Sequence, residues 1–366
     1  MHPYIARPSD SCLEEGMAVD VAATFASANH IVVGDLMVDE YAWGAVSRVS
    51  PEAPIPVLDY EAMERAAGGA ANVAHNLVAL GQSVSLAGVV GPDDAGIWLL
   101  NEMERLGVST SGIVVDPTRV TTRKLRYGTR HHSILRVDFE SRGQLSDLYA
   151  TSIASYINEA LKSGCSSLLV SDYGKGCLTG SSEDNPVLRC LADIPKSRGV
   201  HTGVDTKRAG AALRVYEGIT FAKPNLTELE NAVQMHVHDE ATLSEACYRY
   251  LELSQADSVV VTLGPQGMAY LSQRDRDSFR IVPTIECDVY DVTGAGDTVF
   301  ATLATALAND YPWPDAMLMA NIAASIVIEH RGTAVVTEQE LSLRLARAQA
   351  EPTGQRAVLE RSNPHR

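Results

Sequence analysis

The sequence predicts an α/β three-layer sandwich, with a mainly parallel central sheet between helices and a small β lid. Three observations point there. Short apolar, β-branched runs at 30–39, 83–90, 166–171, 200–205 and 258–263 alternate with segments of helical period. Each of these runs ends in, or is followed at once by, Asp or Gly, the chemistry found where parallel strands meet a ligand. Residues 121–140 instead alternate like two strands with a turn near Gly128, which fits a separate antiparallel piece.

Composition narrows the class. A chain of 366 residues suits one large α/β domain or two smaller ones, and 45% hydrophobic with 21% charged residues supplies an ordinary core. The formal charge of −16 disfavours non-specific nucleic-acid binding, which needs Lys and Arg against phosphates. No apolar run is long enough to span a bilayer. The N-terminus has no basic-then-apolar export pattern and carries Glu14 and Glu15, so a cytoplasmic protein is expected. Cys12, Cys165, Cys177, Cys190, Cys247 and Cys287 are scattered without a Cys-x-x-Cys pair, so neither a zinc site nor a disulfide framework is expected.

In chain order, residues 1–28 lack periodicity and read as a loose leader. Residues 30–39 read as a buried strand ending in a polar turn, which places Asp35 and Asp39 to meet a ligand or to cap the turn. The prolines of 44–56 deny a helix interior and favour extended lid segments at about 40–60. Gly68-Gly-Ala-Ala-Asn72 opens a helix that stops at Gly81; Asn72 can donate to and accept from a hydroxyl. Strand 83–90 and helix 93–106 form another β–α step. Between Arg123 and Arg136 lie five basic residues and no acid, and Lys124 and Arg126 share one strand face. In an acidic chain this reads either as a clamp for an anionic substrate group or as a charged edge that resists aggregation, with the second lid segment at about 118–140.

A helix at 148–162 precedes the strand and loop of Ser171-Asp-Tyr-Gly-Lys-Gly176, and a further helix is expected at 186–198 before strand 200–205. No Walker loop occurs. Asn225 and Glu228 lie three apart, spaced either for a helix capping box or for a carboxylate that holds Mg²⁺ through water. Helix 241–253 leads to strand 258–263 and the turn Thr262-Leu-Gly-Pro-Gln-Gly267, then a strand through Leu271. Residues 316–328 are apolar on most sides and read as a buried helix, and from about 351 the chain turns polar and uncapped, read as a disordered tail.

The most informative stretch is Asp291-Val-Thr-Gly-Ala-Gly-Asp297, which opens the apolar helix from Thr298 to Leu307. Glycines there let the backbone approach a ligand, and a helix start favours an anion through free N–H groups and its dipole. A carboxylate beside such a cradle suits phosphoryl transfer to a hydroxyl, and an acidic N-cap is the bland alternative.

The full string resembles the signature of the ribokinase-like (phosphofructokinase-B type) carbohydrate kinases, and Gly-Gly-x-x-Asn at 68–72 resembles the family's first motif. The motifs follow in family order over about 30–340. The resemblance implies a ribokinase-like fold over 29–350, with Asp297 as the base and the amides of Gly294, Ala295 and Gly296 as an anion hole. It implies that Asp39, Gly69 and Asn72 position the sugar. Asn225 and Glu228 would order Mg²⁺ and phosphates, and Thr262, Gly264 and Gly267 would line the ATP site. A monovalent cation is a further candidate ligand, and pairing of lids makes a homodimer plausible.

Within the family, Gly34-Asp-Leu-Met-Val-Asp39, Ser47-Arg-Val-Ser-Pro-Glu-Ala-Pro54, Lys124-Leu-Arg126, Leu135-Arg-Val-Asp-Phe-Glu140 and Ser171-Asp-Tyr-Gly-Lys-Gly176 resemble D-glycero-D-manno-heptose 7-phosphate kinases. Arg48, Lys124, Arg126 and Arg136 then become the pool for a phosphate clamp, with Asp172 and Lys175 in support. Some such enzymes add a transferase domain bearing His-x-Gly-His, a string not found here, so a kinase-only form is expected. Val204-Asp-Thr-Lys-Arg208 departs from the group's usual Asp-Pro-Lys-Gly. A same-family kinase of another sugar and a non-catalytic sugar or nucleotide sensor are the alternatives.

Overall fold

The computed structural model describes residues 25–350 apart from 130–131, 195–198 and 286. The leader (1–24) and tail (351–366) expectations fall outside the described residues. Residues 25–28 belong to the body: the Phe25 amide donates to Glu338 and the Ala28 amide to Gln82.

A nine-stranded sheet runs in the order Asp275–Val282 (β13), Met268–Ser272 (β12), Ser258–Thr262 (β11), Phe221–Ala222 (β10), His201–Thr206 (β9), Ser167–Asp172 (β8), Asn29–Gly34 (β1), Ser83–Val90 (β4) and Ser109–Val115 (β5). From β11 to β5 every pairing is parallel, while β12 and β13 return antiparallel. Alternation divides the strand residues between two cores. Val32 faces helices Ala70–Ala79 (α1), Asp94–Arg105 (α2), Ala295–Ala308 (α7), Trp313–Ile328 (α8) and Glu338–Ala350 (α9). Ile31 and Val33 face Asp147–Lys162 (α3), Pro186–Ala192 (α4), Leu226–Val233 (α5) and Glu240–Ser254 (α6).

Helix α7 is buried along its whole length from Asp297 to Leu307. Its Phe300 ring packs edge-on against Phe221, 5.6 Å between centroids, and a Cβ at Gly203 would come within 2.8 Å of both rings. That missing methyl lets α7 sit close on the sheet at β9.

A second, four-stranded sheet is the lid: Pro56–Gly69 (β3), Leu36–Val49 (β2), Thr122–Gly128 (β6) and Ser133–Phe139 (β7), in that order. Here the sequence reading needs correction. Residues 30–39 are not one strand ending in a turn; the chain leaves the main sheet at Gly34 and enters the lid at Leu36, so Asp39 lies inside a lid strand. The lid also extends to Gly69, beyond the expected limit. Helix α4 ends at Ala192, short of the expected 198. β5 and β13 were not anticipated.

Register sorts the lid side chains. Asp39 pairs with Lys124, Tyr41 with Arg126, and Arg126 with Arg136, so all five share one face. The opposite face buries Glu40, 1% exposed, between Arg65 at 2.9 Å and Arg123 at 3.1 Å. That buried charge has two cationic partners, the condition for tolerating it.

Candidate active site

Asp297 occupies the first turn of α7, behind an N-cap glycine (Gly294) in the left-handed region at φ 84°. A Cβ there would also stand 3.0 Å from the Asn72 side-chain nitrogen. The first-turn amides of Gly296 and Asp297 have no helical acceptor, and the Ala295 amide makes only a long bond to the Val292 carbonyl, 3.3 Å. The half-buried start of the helix therefore offers donors and dipole to an anion.

Both carboxylate oxygens of Asp297 are held. Asn72 Nδ2 donates to Oδ2 at 2.7 Å and the Tyr173 hydroxyl to Oδ1 at 3.1 Å. Burial, reinforced by nearby Asp205, pushes the Asp297 carboxyl up to about 6; Asn72, Lys223 and Tyr173 pull the other way. A carboxyl poised near neutrality suits a general base. Behind Asn72, Asn76 donates to its side-chain oxygen and accepts from Thr298, tying α1 to α7. Lys223, 3% exposed, pairs with Asp205 at 2.9 Å beneath the same turn. Burial works against its charge, but Asp205, Glu228 and Asp297 together hold its pKa above the ordinary value.

The glycine pair has a steric reason. A Cβ on Gly68 would lie 2.5 Å from Asp39 Oδ2, and one on Gly69, whose φ is 57°, would lie 2.5 Å from the Asp35 carbonyl. The turn from lid to α1 thus depends on glycine, and it sets Asn72 one turn in.

The basic lid divides into paired and unpaired cations. Arg126 donates to Asp39 at 2.5 Å and stacks over Tyr41, and Arg136 pairs with Asp138 at 2.9 Å in the open. Lys124 is half-buried and points over the Tyr173 ring at 5.6 Å, with no carboxylate in ion-pair range among the described residues. Burial lowers its pKa, helped by Lys207, Arg126 and Lys175 and opposed by Asp39. Lys207, which was not among the expected site residues, sits over the same ring at 5.2 Å.

Three expectations are corrected. Arg48 lies nine residues along β2 from Asp39, roughly 30 Å of extended strand, too far for both to serve one small ligand. Asp172 does not face a sugar: it accepts from Arg208 at 2.7 Å, Tyr216 at 2.6 Å, Thr206 at 3.2 Å and the Gly174 amide at 3.1 Å. Asp35, 2% exposed, takes the amides of Tyr173, Lys175 and Cys177, so it organises a loop rather than meeting a ligand. Burial and Asp172 push its carboxyl up to about 6 despite those amides. Lys175 itself is paired with Glu140.

Asn225 and Glu228 form the reciprocal capping box of α5, with bonds of 2.9 Å each way. Burial and then Asp205 raise the Glu228 carboxyl. Asn225 bridges to Thr262, which ends β11. In the turn that follows, Gly264 has open space around its Cβ position, whereas a Cβ at Gly267 would collide with the Val282 carbonyl. Gly264 can approach a ligand; Gly267 is required by packing. The expected nucleotide residues thus meet at the carboxyl edge of the sheet.

A helix start with free amides, a buried carboxyl raised to about 6 and a separate four-stranded lid are the parts of a phosphotransferase of the α/β sugar-kinase class. The pfkB family carbohydrate kinase model matches residues 28–340, and the chain belongs to that family. It is 40% identical over 321 residues to the bifunctional protein HldE of Desulfatibacillum aliphaticivorans and 41% over 325 residues to that of Geobacter metallireducens, covering 88% of this chain in each case. The chain spans 64% of the length of either relative. Escherichia coli phosphofructokinase-2 in complex with potassium superimposes with a TM-score of 0.71 at 19% identity, covering 88% of this chain and 99% of that one. Arabidopsis thaliana ribokinase complexed with ribose and ATP gives 0.67 at 19% identity, covering 87% and 99%. The fold is ribokinase-like, and the protein is a carbohydrate kinase. No described helix is long and apolar enough to cross a membrane.

Proposed function

We propose that this kinase transfers the γ-phosphate of ATP to the anomeric hydroxyl of D-glycero-D-manno-heptose 7-phosphate, giving the 1,7-bisphosphate. The observation that carries the reading is the buried Asp297 carboxylate, poised near 6 beside free helix-start amides, with two lysines over the adjoining Tyr173 ring that have no ion-pair partner among the described residues. Asp297 takes the proton of the acceptor hydroxyl as its oxygen attacks. The half-buried amides around Gly294–Gly296 hold the transferring phosphoryl group as fixed, pre-oriented donors. Asp39, Gly69 and Asn72 position the sugar, and Lys124, with Arg126 once it is released from Asp39, engages the distal phosphate. Thr262, Gly264 and Gly267 line the nucleotide.

Mg²⁺ fits the residues present in one way. No described cluster of three ligating side chains exists, so the ion would ride on nucleotide phosphates and water. Glu228, with one oxygen spent on the Asn225 amide, and the adjacent Asp205 are the carboxylates that would orient it. When bound, Mg²⁺ neutralises phosphate charge. The potassium in the phosphofructokinase-2 neighbour supports a monovalent cation as a further ligand. Met63, Leu135 and Phe139 are exposed on the outer lid face, which supports a homodimer paired through the lids.

A second reading is a kinase of an unphosphorylated sugar. Its support is that Arg126 and Arg136 already have acidic partners. ADP release would be followed with ATP and Mg²⁺ on heptose 7-phosphate, fructose 6-phosphate, ribose and fructose, using wild type and Asp297→Ala. Turnover confined to the heptose phosphate and lost in the variant supports the proposal; preference for a neutral sugar sinks the clamp.

A further inference from the structure

Tyr173 lies in the loop after β8 and is held with unusual thoroughness. Asp35 Oδ2 accepts the amides of Tyr173 and Lys175 at 2.9 Å each, Asp35 Oδ1 accepts that of Cys177 at 3.1 Å, and Asp172 accepts that of Gly174 at 3.1 Å. Asp35 in turn donates its own amide to the Ser171 carbonyl. Two buried carboxylates thus fix four consecutive or near-consecutive amides of one short loop, far more restraint than a surface turn needs. At its far end the loop enters the core through Cys177 and Leu178. At its near end it presents Tyr173, whose hydroxyl meets Asp297 and whose ring lies beneath Lys124 and Lys207.

We infer that Tyr173 is a positioning residue for phosphoryl transfer: its hydroxyl orients and ionises the Asp297 carboxylate, and its ring seats Lys124 and Lys207 as a pair that receives an anionic group of the reactants. The inference rests on Asp297 acting as the base. Burial, with Asp297 and Asp205 nearby, holds the Tyr173 phenol well above its ordinary range, so it acts as a donor throughout the working pH. An O–H donated to a carboxylate favours the charged form. The other groups facing Asp297 are Asn72 on α1, Asp205 at the end of β9 and Lys223 just past β10, with Glu228 on α5 next to Lys223. The two lysines come from separate elements, β6 of the lid and the segment after β9, and each places its ammonium over the π-face. Lys207 lowers the Lys124 pKa, so the two charges feel each other, an arrangement that an incoming phosphate would relieve. Tyr173 thereby links lid position to the state of the base.

The test separates hydroxyl from ring. Tyr173→Phe keeps the ring and removes the donor; Tyr173→Leu removes both. Each is assayed with whichever acceptor the wild type phosphorylates, with thermal unfolding as a folding control. Tyr173→Phe should lower kcat about tenfold and move the acid limb of kcat/KM up by about one pH unit, with the acceptor KM within about twofold. Tyr173→Leu should add a rise in acceptor KM of about tenfold. Unchanged kcat and acid limb in Tyr173→Phe overturn the hydroxyl role, and equal KM in the two variants overturns the ring role. If the wild type accepts only an unphosphorylated sugar, the heptose phosphate reading fails, while the pH arm still judges Tyr173.

Discussion

Asp297→Asn should abolish turnover and at the same time make the protein more stable at alkaline pH. Proton binding and folding are linked. The folded carboxyl titrates at about 6 instead of the ordinary 3.8, so between those values the folded state binds a proton that the unfolded state has released. Stability therefore falls as pH rises from about 4 to about 6, and above that range the full cost of burying the ionised group is present. A shift of about two units at about 1.4 kcal/mol each gives roughly 3 kcal/mol at pH 8 and about half of that at pH 5. Asparagine is neutral at every pH and removes this cost. It also fits the partners: its oxygen can accept from Asn72, and its amide can donate to the Tyr173 oxygen. Urea unfolding of both proteins at pH 8 and pH 5 measures the effect. A gain near 3 kcal/mol at pH 8 that shrinks at pH 5 is expected. No gain at pH 8, or a larger gain at pH 5, would refute the argument that Asp297 is held ionised against its environment.

The same pKa predicts a rate profile: kcat/KM should fall about tenfold per unit as pH drops below about 6, because the protonated Asp297 cannot accept a proton. Lys124→Ala should raise the KM for a sugar phosphate at least tenfold while sparing that for ATP, measured by initial rates; an unchanged KM would remove Lys124 from the clamp. Lys223→Met should destabilise the protein by about 3–5 kcal/mol by leaving Asp205 buried without its partner, and adding Asp205→Asn should recover much of that loss in denaturant unfolding. Gly69→Ala should cost more than about 1 kcal/mol, since the position combines a φ of 57° with a Cβ 2.5 Å from the Asp35 carbonyl; a neutral effect would contradict the packing at that turn.

Much of this was legible in the sequence where the signal is local. The strand at 83–90, helix α2 and the β6–β7 hairpin follow from alternation and from turn and cap residues near their ends. The anion-binding start of α7 and the capping box of α5 need only residues within one turn of each other. What was not legible depends on partners distant in sequence. The apolar run from Ile31 to Val38 gives no sign that the chain changes sheets at Asp35. β5 and β13 open on Ser-Thr-Ser-Gly and on alternating charges and become apolar only near their ends, too short a run to mark a strand. Asp172 looked available because Arg208 and Tyr216, which consume its oxygens, lie 36 and 44 residues away. Tyr173 and Lys223 were missed for the converse reason: nothing around them in the chain points to Asp297, and only folding brings them there, as it brings Lys207 over the Tyr173 ring. The Tyr-Gly-Lys-Gly string was read for its lysine, whereas the structure directs its tyrosine at the base.

The central claim is that Asp297 and the neighbouring helix start place a phosphoryl group on the anomeric oxygen of a sugar that already carries a distal phosphate. ³¹P NMR of the product formed from ATP, Mg²⁺ and D-glycero-D-manno-heptose 7-phosphate tests it most directly. The account predicts a new resonance coupled to the anomeric proton while the 7-phosphate signal persists, with no such product from Asp297→Asn. A new phosphate at any other carbon, or product formation that survives in Asp297→Asn, would contradict it.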